Sequence, residues 1–140
     1  MRLAIPAGVM LFVAALAASA RGQAPRTVWD GVYTEEQAKR GSALYFERCV
    51  HCHGPTLGGI DAAAALTGQT FNSNWNGVTL DLMLERVRST MPVDKPGTLS
   101  RQQTADVLAY VFSVNKFPAG ASELPRQAEM LNLIQFKASK

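Results

Sequence analysis

All of the cysteine and histidine in this 140-residue chain lies within five consecutive residues, Cys49-Val50-His51-Cys52-His53. A C-x-x-C-H run is typical of covalent haem attachment. The two thiols can each add to one vinyl group of a haem, and the histidine that follows is then held against the iron. We therefore expect one haem c on Cys49 and Cys52, with His53 as an iron ligand. His51 is interpreted as a spacer that points away from the haem.

Three other uses of the two cysteines are weaker interpretations. A disulfide between Cys49 and Cys52 would close a very short loop and constrain the unfolded chain little. A thioredoxin-like redox pair would need a βαβ context, and no strand pattern surrounds the motif. A structural zinc site needs four ligands, usually as two separated pairs, and the sequence has no second pair.

The first residues carry the pattern of an export signal. Arg2 provides a positive start, Val9 to Ala17 an apolar stretch, and Ala18-Ser19-Ala20 a cleavage site. A second candidate site is Gly22-Gln23-Ala24, although Pro25 would follow that cut. We expect a cleaved signal peptide and a periplasmic protein.

An uncleaved membrane anchor is the alternative, but the apolar stretch is shorter than the about 20 residues that a spanning helix needs. Removal of residues 1–20 leaves enough chain for one small domain. We divide that remainder into an N-terminal arm (21–33), a haem-binding domain (34–116) and a C-terminal tail packed on the domain (117–140). The net charge of +3 is small, and no basic run supports a nucleic-acid partner.

Three helices are predicted by start signals followed by helical periodicity. Thr34-Glu35-Glu36-Gln37 is a capping box that opens a helix running to the haem motif. Ser100 and Gln103 form a second capping box before a helix that reaches Val114. Between them, a helix is predicted from Leu80 to about Thr90, with Thr79 as its N-cap.

The first and last of these helices are predicted to cross closely. Gly41, Tyr45 and Cys49 recur every four residues and share one face. A glycine in a helix interior costs about 1 kcal/mol relative to alanine, so a packing reason is expected. The partner is the stripe on the last helix, which comprises Val107, Tyr110, Val111 and Val114.

The remaining segments are rich in Gly, Asn and Pro and are interpreted as loops, apart from a short helical turn at residues 61–66. Neither alternating strand patterns nor repeats are visible. The predicted fold class is therefore all-α.

With these features the chain resembles the class I monohaem c-type cytochromes. Gly41 and Tyr45 precede the motif at the spacing of that family, and Val107 and Tyr110 match its terminal helix. Three segments resemble, more narrowly, cytochromes that accompany periplasmic quinoprotein dehydrogenases: Trp29 to Thr34, Ser73 to Gly77, and Met91 to Ser100. The resemblance implies a cytochrome c fold, with N- and C-terminal helices crossing beside one covalent haem.

A second axial ligand is expected from a methionine, because His51 is poorly placed to reach the opposite face. Met83 lies among apolar helix positions and is interpreted as core, and Met130 as an apolar packing residue of the tail. Met91 starts a loop before Pro92 and resembles the axial methionine of the family. We expect Met91 to be the ligand; an open sixth position is the alternative.

The resemblance also implies a partner for the second ring nitrogen of His53. In the family a proline carbonyl accepts that hydrogen bond, and Ala64 stands at the proline's place, so the carbonyl is kept and the stiffness is lost. Residues expected to line the haem pocket are Leu66, Phe71, Trp75 and Tyr110, with Trp75 or Asn74 as a propionate donor.

Together these features predict a periplasmic one-electron carrier rather than an enzyme. His/Met ligation leaves the iron no substrate position and favours a raised potential. The expected partners are redox proteins: a dehydrogenase as donor, with a quinoprotein dehydrogenase as one candidate, and a terminal oxidase as acceptor. No stable membrane anchor is expected. The alternatives are a haem enzyme or gas sensor with a labile sixth ligand, and a fixed subunit of a dehydrogenase complex.

Overall fold

A computed structural model describes residues 25–140 of the chain, so the predicted signal peptide and both cleavage sites lie outside the described residues. Within that range the chain forms six helices and two very short strands. These are β1 (Arg26–Thr27), α1 (Glu35–Arg48), α2 (Val50–His53), α3 (Gly68–Trp75), α4 (Leu80–Thr90), α5 (Arg101–Val114), α6 (Ala128–Leu131) and β2 (Ile134–Gln135). No helix in residues 25–140 has both the length and the apolar character to cross a bilayer.

The crossing of α1 and α5 organises the core, as predicted. A Cβ added at Gly41 would overlap the backbone carbonyl of Asp106 and lie 3.0 Å from the amide nitrogen of Val107. One turn further along, the rings of Tyr45 and Tyr110 pack with their centroids 5.3 Å apart. Glycine is therefore required at position 41, because the two backbones touch there.

The start of each crossing helix is capped, but in different ways. The Ser100 hydroxyl accepts from Gln103 N and the Gln103 side chain accepts from Ser100 N, so this capping box is complete. At α1, Thr34 accepts from Gln37 N. The Gln37 side chain does not return to Thr34, because it is buried and makes two hydrogen bonds, of 3.0 and 2.6 Å, with the backbone of Leu124. The predicted capping box is only half formed here, since the tail takes its second member.

The α4 helix has the predicted bounds and is joined to α5 by ion pairs. Arg101, at the start of α5, donates to Asp81 Oδ1 at 2.6 Å and also to the Glu85 carboxylate. Thr79 occupies the N-cap position but its side chain makes no capping hydrogen bond; its hydroxyl donates to Asn132.

Helix α3 corrects a prediction from the sequence, since its residues were expected to form a loop. The predicted helical turn at 61–66 is absent, and helix begins only at Gly68. Thr67 provides no side-chain cap for α3. The helix is instead stabilised by the tail, because buried Phe71 packs edge-on against Phe136 with ring centroids 5.7 Å apart.

The N-terminal arm and the tail meet in a small parallel sheet that the sequence patterns did not predict. Arg26 pairs with Ile134 and Thr27 with Gln135. Nearby, Trp29 Nε1 donates to the Lys137 carbonyl at 3.0 Å. The tail also contacts the turn before α4, because Phe136 N donates to Val78 O at 2.8 Å. The tail thus links the arm to the α3–α4 region.

Candidate haem site

The C-x-x-C-H motif begins at Cys49, the residue between α1 and α2, and its remaining four residues form the single turn α2. Cys49 caps the end of α1 by donating from its backbone N–H to Tyr45 O at 2.8 Å. His53 N donates to Cys49 O at 3.0 Å, which closes the turn that contains both cysteines. Both thiols are free; the Cys49 thiol is half-buried and the Cys52 side chain is exposed. Neither a disulfide nor a cluster of three potential metal ligands forms within residues 25–140.

Burial has a clear electrostatic effect on the inner cysteine. It raises the pKa of the Cys49 thiol to about 11, against a smaller opposing effect of Arg48. Burial also raises the pKa of Tyr45 to about 12. Both groups are therefore neutral at physiological pH, as suits a site that takes up an apolar macrocycle.

The His53 ring is oriented as predicted. Its Nδ1 lies 2.8 Å from the carbonyl oxygen of Ala64, which fixes Nδ1 as the donor. Nε2 is then left as the nitrogen that can bind a metal. Such a hydrogen bond sets the tautomer and orientation of a metal-bound imidazole. The arrangement fits haem, because two free thiols stand beside an imidazole held in the ligating tautomer.

The loop after the motif folds back on it and thereby delivers the Ala64 carbonyl. Gly59 N donates to His53 O at 2.9 Å, and Ile60 N donates to Cys52 O at 3.0 Å. Gly59 has a φ of +80°, and an added Cβ there would overlap Ala63 O. The return of the chain towards His53 depends on glycine at this position.

The three methionines of residues 25–140 have different environments. Met83 is 1% exposed and belongs to the core, as predicted. Met130 is 51% exposed, so its interpretation as a packing residue is wrong, and the neighbouring Leu131 is buried instead. Met91 is half-buried at the end of α4, where its N–H donates to Val87 O at 2.8 Å. Its position is thus set by α4 and not by the motif.

The predicted pocket residues divide into two groups. Phe71 is buried against Phe136, and Leu66 and Trp75 are partly buried beside the core. Tyr110 instead packs on the α1 rings, 5.3 Å from Tyr45, so its described contacts belong to the helix crossing. Asn74, the alternative propionate donor, is exposed on α3.

Asn72 is a site candidate that no sequence pattern indicated. Its Oδ1 is buried without a hydrogen-bond partner in the described part of the chain. Buried polar atoms normally have a hydrogen-bond partner, so the unpartnered Asn72 Oδ1 marks a position where a bound group can supply one. In the sequence, nothing distinguishes Asn72 from Asn74 and Asn76.

Comparison with known proteins identifies the class of the molecule. A family model described as cytochrome c oxidase, cbb3-type, subunit III matches residues 36–111, from the first turn of α1 into α5, with the haem motif inside. The chain belongs to this family of c-type cytochrome domains. The predicted class I c-type cytochrome and its all-α cytochrome c fold are confirmed. Haem c and electron transfer follow from membership of the family.

A solved structure is similar to this c-type cytochrome in fold. It is the crystal structure of the sulfane dehydrogenase SoxCD from Paracoccus pantotrophus, with 21% sequence identity and a TM-score of 0.56. The match covers 76% of this chain and 61% of the SoxCD chain, so the cytochrome spans less than two thirds of that protein. A comparison with curated proteins found no significant match.

Proposed function

We propose that this c-type cytochrome is a periplasmic one-electron carrier whose single haem is attached through Cys49 and Cys52 and ligated by His53 and Met91. The observation that carries the proposal is the 2.8 Å contact between His53 Nδ1 and the Ala64 carbonyl. This contact prepares one nitrogen for iron, next to two free thiols.

Bound haem supplies a reversible Fe(III)/Fe(II) couple at this site. The chain's own part is to hold and tune the group. The two cysteines would hold the haem through thioethers, and His53 keeps one orientation because its ring is hydrogen-bonded. Met91 is the favoured sixth ligand, since it is half-buried at the start of a loop, whereas Met83 is used by the core and Met130 is exposed. With His53 and Met91 both holding the iron, no position on it would remain for a substrate.

We propose a dehydrogenase as donor and a terminal oxidase as acceptor. The matching family is that of an oxidase subunit, and the protein of similar fold is a dehydrogenase. The sequence resemblance to cytochromes of quinoprotein dehydrogenases supports the same kind of donor. Redox encounters of this type bury less than about 1,200 Å².

A fixed subunit of a dehydrogenase complex is the second candidate function. It is favoured by the similarity in fold to SoxCD, which is a sulfane dehydrogenase. Gel filtration of the native extract separates the two candidates. A free carrier should elute at the size of one small domain, whereas a fixed subunit should elute together with its dehydrogenase.

Periplasmic location rests on the predicted export signal, formed by Arg2, the Val9–Ala17 stretch and Ala18-Ser19-Ala20. It agrees with the chemistry of the motif, because haem c is attached outside the cytoplasm. The mature protein would then begin at Arg21, or at Pro25 if the second site is cut.

The decisive experiment replaces each of the three methionines in the holoprotein. Met91→Ala should remove the weak far-red absorption band of iron–methionine coordination, allow carbon monoxide to bind the reduced protein, and lower the potential. Met83→Ala and Met130→Ala should keep the band, although the first also destabilises the core by about 2–5 kcal/mol.

Two results would contradict the proposal. If Met91→Ala keeps the band while one of the other variants loses it, the ligand assignment is wrong. If the unmodified protein already binds carbon monoxide readily, the sixth position is labile and the enzyme or gas-sensor function takes its place.

A further inference from the structure

The loop that carries Ala64 is held at both ends by side chains from the crossing helices. At its start, the buried Tyr45 hydroxyl of α1 donates to Gly54 O at 2.6 Å. At its end, the Asn115 amide, at the C-cap of α5, donates to Leu66 O at 2.9 Å. The Ala64 carbonyl that accepts from His53 lies between these two contacts along the chain. The helix crossing and the histidine are thereby connected.

Asn115 is itself fixed, so it can transmit the position of α5. Its Nδ2 donates a second hydrogen bond to Val111 O at 2.8 Å, and its backbone N–H donates to the same carbonyl at 3.1 Å. One amide group therefore connects the last turn of α5 to the loop. The amide nitrogen thus donates one proton to the loop and the other to α5.

The loop end that Asn115 holds is also anchored in the core. Leu66 N donates to Leu57 O at 2.8 Å, and Leu57 is fully buried. Leu57 has a φ of +60°, a left-handed conformation that a leucine adopts only when its surroundings impose it. Leu66 is thus bonded through both its N–H and its carbonyl, two residues beyond Ala64.

We propose that Asn115 is a positioning residue for His53, acting through Leu66 and the Ala64 carbonyl. Asn115 thereby restrains the loop around Ala64, as a proline at position 64 would. The inference rests on the proposed ligation of haem by His53. Its physical basis is that a short Nδ1–H···O bond raises the basicity of a metal-bound imidazole. If the loop loosens, that bond weakens, the imidazole becomes a poorer donor to oxidised iron, and the potential rises.

The test compares Asn115→Leu with Ser113→Ala in the reduced and oxidised holoprotein. Leucine has a similar size but no donor, so both side-chain bonds of residue 115 are lost. Ser113 is the matched control, because its hydroxyl donates only to Tyr110 O within the same turn of α5. Asn115→Leu should raise the potential and speed solvent exchange of the His53 Nδ1 proton by about 5- to 10-fold, as expected for one weakened hydrogen bond. Ser113→Ala should change neither.

Rescue by Ala64→Pro separates positioning from general destabilisation. No hydrogen bond from the Ala64 N–H is found among the described residues, so proline removes none there. In the Ala64→Pro background, the Asn115→Leu shift in potential should be much smaller than in the unmodified protein. Equal shifts in both backgrounds would overturn the proposal, since additivity indicates that the two residues act independently.

The wild-type protein provides the remaining checks. If His53 does not ligate haem in the wild type, the proposed function fails before Asn115 is tested. If it does, and Asn115→Leu leaves potential and proton exchange unchanged, only the positioning role is wrong. Should Asn115→Leu fail to fold, nuclear Overhauser contacts between the Asn115 amide protons and Leu66 in the wild type decide: their presence, with slowed amide exchange, supports the restraint, and their absence refutes it.

Discussion

Gly41→Ala is predicted to destabilise the protein, although alanine is the better helix former. In an isolated helix this change would stabilise by about 1 kcal/mol. Here the new Cβ would overlap the Asp106 carbonyl and lie 3.0 Å from Val107 N. Both atoms belong to the backbone of α5 and have no rotamer by which to move away. The helices must therefore separate, and the sign of the effect is reversed.

The size of the loss follows from two contributions. Overpacking of a close contact costs about 1–3 kcal/mol. Separation of the helices also weakens the Tyr45–Tyr110 contact one turn away, where the ring centroids are 5.3 Å apart, and such ring pairs contribute about 0.5–1.5 kcal/mol. After the gain in helix propensity, a net loss of about 2 kcal/mol remains, which lowers Tm by roughly 8 °C in a domain of this size.

Thermal unfolding of the holoprotein, followed by far-ultraviolet circular dichroism, measures the effect. Ala43→Val is the matched control, because it adds methyl groups at an exposed position of the same helix. It should cost no more than the difference in helix propensity, under about 1 kcal/mol. A Tm for Gly41→Ala equal to or above that of the wild type would show that the backbones do not touch in solution.

Two further predictions concern the motif and the arm. Cys49 and Cys52 should both carry thioethers, so haem staining should persist on a denaturing gel, and acidified organic solvent should extract haem from the Cys49→Ala, Cys52→Ala double variant but not from the wild type. Burial raises the pKa of Tyr33, whose hydroxyl donates to Phe117 O at 2.6 Å. Because the pKa of Tyr33 is higher in the folded than in the unfolded state, the stabilisation that its neutral hydroxyl gives is fully present below about pH 10. It is lost as the pH rises through the raised pKa. The difference in unfolding free energy between wild type and Tyr33→Phe, measured in urea, should therefore shrink in alkali, and a constant difference would contradict the assignment.

The parts of the fold that the sequence predicted are those with local signals. Helix α5 has a complete capping box and a strong apolar stripe, and its bounds agree with the prediction. Gly41 was informative because an unfavourable residue in a helix needs a tertiary reason. The Ala64 carbonyl was located through the family resemblance, and the structure confirms that its contact with His53 survives without proline.

The parts that were missed depend on contacts between distant segments. Helix α3 has no side-chain cap, and Phe71 is stabilised by Phe136 from the far end of the chain. The second half of the α1 capping box was lost because Leu124 offered Gln37 a buried backbone partner. No local pattern announces such a competitor. The two-residue strands are likewise defined only by their pairing.

The pairing of β1 with β2 has a consequence for the order in which the molecule matures. If the chain is exported N-terminus first, as its predicted signal implies, Cys52 leaves the cytoplasm before Ile134 does. During that interval Arg26 and Thr27 have no strand to join, and the sheet that joins the arm to the tail cannot form. The motif thus reaches the periplasm before the tail, and the proposed attachment of haem has an interval in which to precede closure of the domain.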